Sequence, residues 1–122
     1  MNSLQLLLIN SENDKSIKEI LLYLLNNKIN INYGGPEEND HPLMIALSRN
    51  LVESVRILLK YNADVSSQNN YLSTPLHRIF KLEQKIPDDI IKIFIQKGDM
   101  NIQDINGDTP LSILVRFDDW TK

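Results

Sequence analysis

Thr74-Pro75-Leu76-His77 is the stretch on which the reading of this chain turns. A threonine hydroxyl just before a helix can accept a bond from a free first-turn N–H. Proline at the next position gives up an N–H that has no helical partner there. The Pro-Leu pair recurs as Pro42-Leu43 and Pro110-Leu111, 33 residues before and 35 residues after. Working outward, an aliphatic pair closes a helix-like segment at Leu24-Leu25, Leu58-Leu59 and Phe94-Ile95. A polar turn comes next: Asn30-Ile31-Asn32, Asp64-Val65-Ser66 and Asp99-Met100-Asn101. Three separate landmarks with a period near 34 mark an internal repeat. In such chains one unit cannot bury its apolar face alone, and stacked neighbours supply the core.

Each unit has the same grammar: a polar segment, a short first helix, then a second helix. Ile17, Ile20, Leu21, Leu24 and Leu25 lie on one helical face,. Leu51, Val55, Leu58 and Leu59 repeat that pattern, and Ile90, Ile91, Phe94 and Ile95 do so more loosely. Gly98 is placed to end its helix in the left-handed conformation. Asn62 holds the same place after Leu59, where Asn is the next best choice. Lys28 suits that place poorly, so the first unit is expected to end differently. The expected core is Leu21, Leu25, Leu43, Ala46, Leu47, Val55, Leu58, Leu59, Leu76, Ile79, Phe94, Leu111 and Leu114. The third unit carries three extra residues around Lys81 to Asp89, in the loop between its helices. Pro87 with Asp88 and Asp89 then restarts a helix, with acid near its positive end. The last unit has a first helix, Pro110 to about Phe117, and no second. Trp120 as a makeshift lid is one reading of the remainder; an array continuing in a longer chain is the favoured one, since solenoid ends need polar caps.

Composition narrows the function classes. The 122 residues make one domain's worth of sequence,. Leu (18) and Ile (16) dominate and aromatics are 7%, so the core is aliphatic. A net charge of −3 lacks the basic footprint of a nucleic-acid-binding domain,. The absence of cysteine removes disulfides, Cys-ligated zinc and thiol catalysis, and suits a reducing compartment,. The first ten residues have no basic start and no small-residue cleavage pattern, so a signal peptide is not expected there. The longest apolar run, Ile20 to Leu25, is far short of a membrane span,. The expected location is the cytoplasm, with the nucleus open.

These motifs resemble ankyrin repeats. Thr74-Pro75-Leu76-His77 matches that family's helix-opening tetrapeptide, Asn106 to Leu111 its finger-to-helix segment, and Val55 to Val65 its second helix and the turn beyond. The resemblance covers Asp40 to Val115 strongly and Ser16 to Tyr33 moderately. His41 departs from it by replacing the capping threonine of the second unit. The resemblance implies an all-α fold: an ankyrin-repeat α-solenoid of helix-turn-helix units with short β-hairpin or loop fingers. The units run over approximately 1–33, 34–67, 68–103 and a partial 104–122. The irregular, Asn/Ile/Lys-rich units with an inserted third repeat also look like the ankyrin proteins of poxviruses. In that group the array often ends in an F-box-like motif that recruits a ubiquitin ligase, and no residue here matches such a motif.

Catalysis has few candidates. His77 falls in the family's tetrapeptide, where the resemblance implies a structural hydrogen bond near the threonine of its own or the next unit. His41 reads as a cap substitute or a loop residue. Two histidines without cysteine or a helical His pair do not form a zinc site. The acidic pairs Glu37-Glu38, Asp88-Asp89 and Asp118-Asp119 read as solvated surface, since paired catalytic acids need environments that split their pKa values. No phosphate loop or calcium loop is present. The chain therefore reads as a non-enzymatic module without cofactor or metal.

What remains is a protein-binding surface. The resemblance implies a concave groove lined by first helices and finger tips. Ile45, Ser48, Arg49, Arg78, Lys81, Ile113 and Arg116 are expected on the groove side. The tips offer Glu37, Glu38 and Asp40; Asn70, Tyr71 and Leu72; Asp104, Ile105 and Asp108. Of these, Arg49, Tyr71, Leu72, Arg78, Lys81, Ile113 and Arg116 are the expected partner contacts. Tyr71 and Leu72 are the anchor candidates, Tyr being enriched at interface hot spots. The basic stripe implies a protein partner with an acidic surface, set against ordinary solvated helix charges as the alternative. The partner would be a host or cellular protein, bound by the module acting alone or as the recognition segment of a larger ubiquitin-ligase adaptor. Val115 and Phe117 at the uncapped end offer a route to self-association.

Overall fold

The computed structural model describes residues 2–11, 14–15, 17–34, 40–81 and 85–117. Among them are seven helices and no strand: α1 (Ser3–Asn10), α2 (Lys18–Asn26), α3 (Pro42–Ser48), α4 (Val52–Lys60), α5 (Pro75–Lys81), α6 (Asp88–Lys97) and α7 (Pro110–Phe117). The first helices form a row in which α1 packs on α3, α3 on α5 and α5 on α7. Each of α1, α3 and α5 also packs on the second helix of its own unit, and α2 packs on α4. The stack is therefore layered, with Leu4, Leu8, Leu21, Leu43, Leu47, Leu58, Leu76, Ile90 and Phe94 almost wholly buried between layers.

α1 is an element that the Pro-Leu landmark misses, because its unit opens with no proline. Its start is set by a capping box. The Asn2 side chain accepts from the Gln5 N–H at 3.0 Å, and the Gln5 side chain accepts from the Asn2 N–H at 3.0 Å. The signal was present as Asn2-Ser3-Leu4-Gln5.

The turns explain the third landmark. Asn30, Asp64 and Asp99 each use Oδ1 to accept the N–H two residues on, at 3.0, 2.8 and 2.8 Å. This is the side-chain-to-backbone turn that Asn and Asp favour. The finger loops follow the same logic. Asn69 Oδ1 accepts from Tyr71 and Ser73 N–H, and Asp104 Oδ1 accepts from Asn106 and Asp108 N–H. Each finger is closed by two backbone bonds: Asn69 N–H to the Ser73 carbonyl and Leu72 N–H to the Asn69 carbonyl in one, Asp104 N–H to the Asp108 carbonyl and Gly107 N–H to the Asp104 carbonyl in the other. Asp104 is thus buried at the root of its finger, where a tip residue was expected.

Three expectations are corrected. Asn62 has φ +64°, as expected, but Lys28 takes φ +61° as well, so the first unit ends like the second despite its lysine. Gly98 is extended, at φ −86°, ψ 173°. Its missing side chain serves space instead: a Cβ there would lie 2.6 Å from Leu76 Cδ1 and 2.6 Å from the Phe94 carbonyl oxygen. On α7 the buried and exposed faces are exchanged. Leu111 is 51% exposed and Leu114 half-buried, while Ile113 is fully buried. The equivalent Leu43 and Leu76 lie on helices paired with α4 and α6, whereas among the described residues α7 has no second helix and packs on α5. The other expected core residues are buried. Trp120, the Asp118-Asp119 pair, the Phe117 side chain, Glu37 and Glu38 lie outside the described residues, as does 82–84 of the insert.

Candidate functional site

The first helices and fingers are joined by a recurring polar link. His77 is fully buried, and its Nδ1 accepts the Thr74 N–H at 3.0 Å and lies 2.8 Å from the Thr74 hydroxyl. Nε2 lies 2.8 Å from the carbonyl of Asp108 in the next finger. A carbonyl only accepts, so the network assigns the proton to Nε2. Both nitrogens are engaged in hydrogen bonds that hold the stack. In the first unit Gln5 does the same work: Oε1 takes the Asn2 N–H, and Nε2 donates to the Asp40 carbonyl at 2.8 Å. Met44 and Ser112 hold the corresponding positions in α3 and α7. Met44 has no polar donor for a next finger, and Ser112 bonds within its own turn to Thr109.

The junction after Met44 is held by Asp40. Its carboxylate accepts from Arg78 at 3.1 Å and from Asn69 Nδ2 at 3.0 Å. Arg78 also donates to the Ser48 hydroxyl. His41 stands at the start of α3 without making a cap bond; its imidazole lies between two carbonyls, with Nδ1 2.5 Å from Asn32 and Nε2 3.4 Å from Gln68.

The expected basic stripe is thereby changed in character. Arg49 is exposed, and it donates to the carbonyls of Leu8 (2.9 Å), Ile9 and Ser11 (2.8 Å) at the end of α1. Those are carbonyls that a helix end leaves without partners. From the same first unit Asp14 caps α4, accepting from the N–H groups of Glu53 and Ser54 and from the Ser54 hydroxyl. Lys81 Nζ is 3.9 Å from the buried Asp104 carboxylate, and Arg116 is 2.8 Å from Asp108. Each arginine of the stripe has a hydrogen-bond acceptor in this chain, Lys81 has a counter-charge, and Ile113 is too buried to touch a partner.

The Arg116 hydrogen bond, reinforced by the charge of the same guanidinium and opposed by desolvation, holds the Asp108 carboxyl below its ordinary range. Arg56 does the same to Asp89 across α4 and α6. A depressed folded-state pKa means that the Asp108 contribution is present above the unfolded pKa. It is lost as the pH falls through the folded one. The pair is exposed, so the effect on stability is small. In a carboxyl NMR titration Asp108 will titrate below an unpaired aspartate, and Arg116→Gln will move its midpoint upward. An unmoved midpoint would show that the pair does not persist in solution.

The apolar features lie at the finger tips. Tyr71 is 53%, Leu72 47% and Ile105 61% exposed. The Ile105 N–H donates to the Tyr71 carbonyl at 2.8 Å, tying the two fingers side by side. Between them and α5 is a cleft of ≈ 280 Å³, lined by Asn69, Tyr71, Ser73, Arg78, Lys81, Asp104, Ile105 and Asn106. Sequence reading found the exposed tip residues and missed Asn69, Gln5 and Asp14. Each of those three acts on a residue or a unit that the sequence alone does not place nearby.

Among the described residues no group of three or more His, Asp or Glu side chains is placed to hold a metal, and no helix is long and apolar enough to cross a membrane. Comparison with curated proteins found no match. A family model for ankyrin repeats in many copies matches residues 19–79, half of the chain. That span runs from α2 through the Thr74-Pro75-Leu76-His77 turn, and with the row of first helices and the finger-to-helix links it shows that the chain belongs to the ankyrin-repeat family.

Proposed function

We propose that the chain is a non-enzymatic module that binds a host or cellular protein through its finger tips and the first-helix face behind them. Ankyrin repeats in general mediate protein–protein contacts. The observation that supports this surface is the row of exposed apolar side chains on two adjacent fingers, Tyr71, Leu72 and Ile105. Exposed apolar groups gathered in one place mark interaction sites more often than isolated ones do. The polar groups nearby are engaged in holding the stack together, which suits a rigid docking face better than a reaction centre. The encounter belongs in the cytoplasm or nucleus on this reading. A free-standing module and the recognition segment of a larger ligase adaptor would use the same face. Leu111 and Val115, one turn apart and exposed on α7, make self-association through that helix part of the proposal.

Affinity capture with the full chain as bait, followed by cross-linking mass spectrometry, tests the reading. The expected cross-links run from Lys81 and the neighbouring fingers to the captured protein. Cross-links confined to Lys18, Lys60, Lys92 and Lys97 on the second helices would overturn it. Sedimentation at high concentration reads the self-association, and a monomer throughout would remove that element alone.

A further inference from the structure

The layers of the stack hold one another through the same helix positions, and two faces depart from this. Counted from its first residue, each first helix places Leu6, Ile45, Arg78 or Ile113 fourth. Ile113 is fully buried on a helix that packs on α5, so the fourth position faces the preceding layer. Ile45 is 8% exposed in that place, whereas Leu6 is 48% exposed. The second helices depart in the same way at their third and sixth positions. Ser54 and Ile90 are buried in third place, and the Ser54 hydroxyl donates to Asp14 of the preceding unit at 2.7 Å. Ile20, third on α2, is 52% exposed. Ile57 and Ile93 are half-buried against the core in sixth place, where Tyr23 is 67% exposed. Leu6, Ile20 and Tyr23 therefore give α1 and α2 the apolar side chains of an interlayer contact, turned outward.

The other face departs at other positions. Leu4, Leu43 and Leu76, second on their helices, are almost wholly buried, and so are Leu8 and Leu47 in sixth place. Phe80, also sixth, is half-buried. On α7 these two positions are Leu111 and Val115, both more than half exposed. α1 packs on α2 and α3, and among the described residues α7 has neither kind of neighbour. One molecule thus carries a face built to meet a preceding layer and another built to meet following helices. We infer that a second copy of this chain covers α7 with its α1–α2 face, head to tail, so that Leu6, Ile20 and Tyr23 of one copy meet Leu111 and Val115 of the other. The contact continues the row of α1, α3, α5 and α7 from one copy into the next. It joins two different faces, and such contacts build open chains unless the rotation closes a ring. A face of so few side chains falls short of the roughly 1,200 Å² at which stable interfaces begin, so the association is weak and grows with concentration. The inference rests on the self-association part of the proposed function and gives it a direction.

The test is sedimentation equilibrium of the full chain and of two blocked variants. The parent's weight-average mass is expected to rise with concentration past that of a dimer. Leu6→Glu and Val115→Glu, each at an exposed position, are expected to stay monomeric and to melt near the parent's midpoint. Mixed in equal amounts, the two are expected to form a one-to-one dimer and nothing larger, because each keeps the face that the other has lost. Tyr23→Glu, on α2, blocks the same face as Leu6→Glu and replaces it if that variant melts well below the parent. An associating parent whose two blocked variants stay monomeric when mixed would overturn the head-to-tail contact and leave self-association standing. A Leu6→Glu and a Tyr23→Glu protein that both associate as the parent does would overturn it too, in favour of α7 pairing with α7. A parent that is monomeric throughout would overturn the contact and the self-association reading together.

Discussion

Replacing His77 by alanine will destabilise the stack by about 3 kcal/mol, and replacing it by glutamine will cost less than half of that. The alanine figure follows from the Thr74 N–H, left without a partner at about 1–3 kcal/mol when buried, and from the loss of the His77 bond to the Asp108 carbonyl, which keeps only the Asp104 N–H. A small cavity adds to it. Glutamine is the informative variant because the protein already uses it. Gln5 takes the Asn2 N–H on Oε1 and gives an N–H to the Asp40 carbonyl, the same two bonds that His77 makes through opposite sides of its ring. His77→Leu, which fills the space and makes neither bond, should behave like alanine. Urea unfolding followed by circular dichroism reads the series. Since repeat stacks are stabilised through nearest neighbours, the loss should also be local. Amide exchange in α7 will quicken in His77→Ala while that in α2 and α4 stays near the parent's. A glutamine variant no better than leucine would show that the two links are not equivalent.

The second large effect is at Gly98. Alanine there is expected to cost about 1–3 kcal/mol through overpacking, and asparagine at least as much. The reason is the position of the absent Cβ, 2.6 Å from the Phe94 carbonyl oxygen and from Leu76 Cδ1. Leucine could turn aside, but the Phe94 carbonyl is fixed because it accepts the Gly98 N–H at 2.7 Å, the bond that closes α6. Asn62 is the contrasting site. With φ +64° it does hold the left-handed conformation, so Asn62→Gly should be neutral or mildly stabilising and Asn62→Ala destabilising. The two positions are thus expected to order the same three residues differently: glycine, alanine, asparagine at 98, and glycine, asparagine, alanine at 62. Thermal melts of the four variants test this. A Gly98→Asn protein more stable than Gly98→Ala would restore the backbone explanation and remove the packing one.

Gly98 and Asn62 also show where sequence reading succeeds. Both were read as helix stops, and both do end helices. The φ of Asn62 follows from local chemistry, since an αL residue after a helix is a preference of the residue and its immediate neighbours. The lack of room for a Cβ at Gly98 comes in part from Leu76, 22 residues away in the chain. The exchange of Leu111 for Ile113 has a similar origin. Periodicity marks α7 as amphipathic, but the covered face is decided by packing on α5 and by the lack of a second helix among the described residues. The cations are the clearest case at the candidate site. Arg49, Arg78, Lys81 and Arg116 are expected from the sequence as groove-side partner contacts, and each has a hydrogen-bond acceptor or a counter-charge in the folded chain.

By itself the sequence determined the repeat, its period, the positions of α2 to α7, the polar turns after the second helices and the exposed Tyr71 and Leu72. These rest on spacing, capping and turn chemistry, which act over a few residues and so are written locally. Only the tertiary structure decided which polar groups are spent on the stack and which are left for a partner. Those groups meet across about one repeat, as Gln5 meets Asp40, Arg49 meets Leu8, and His77 meets Asp108. A hydrogen bond is made within about 3 Å, and no pattern along the chain states which atoms stacking brings that close.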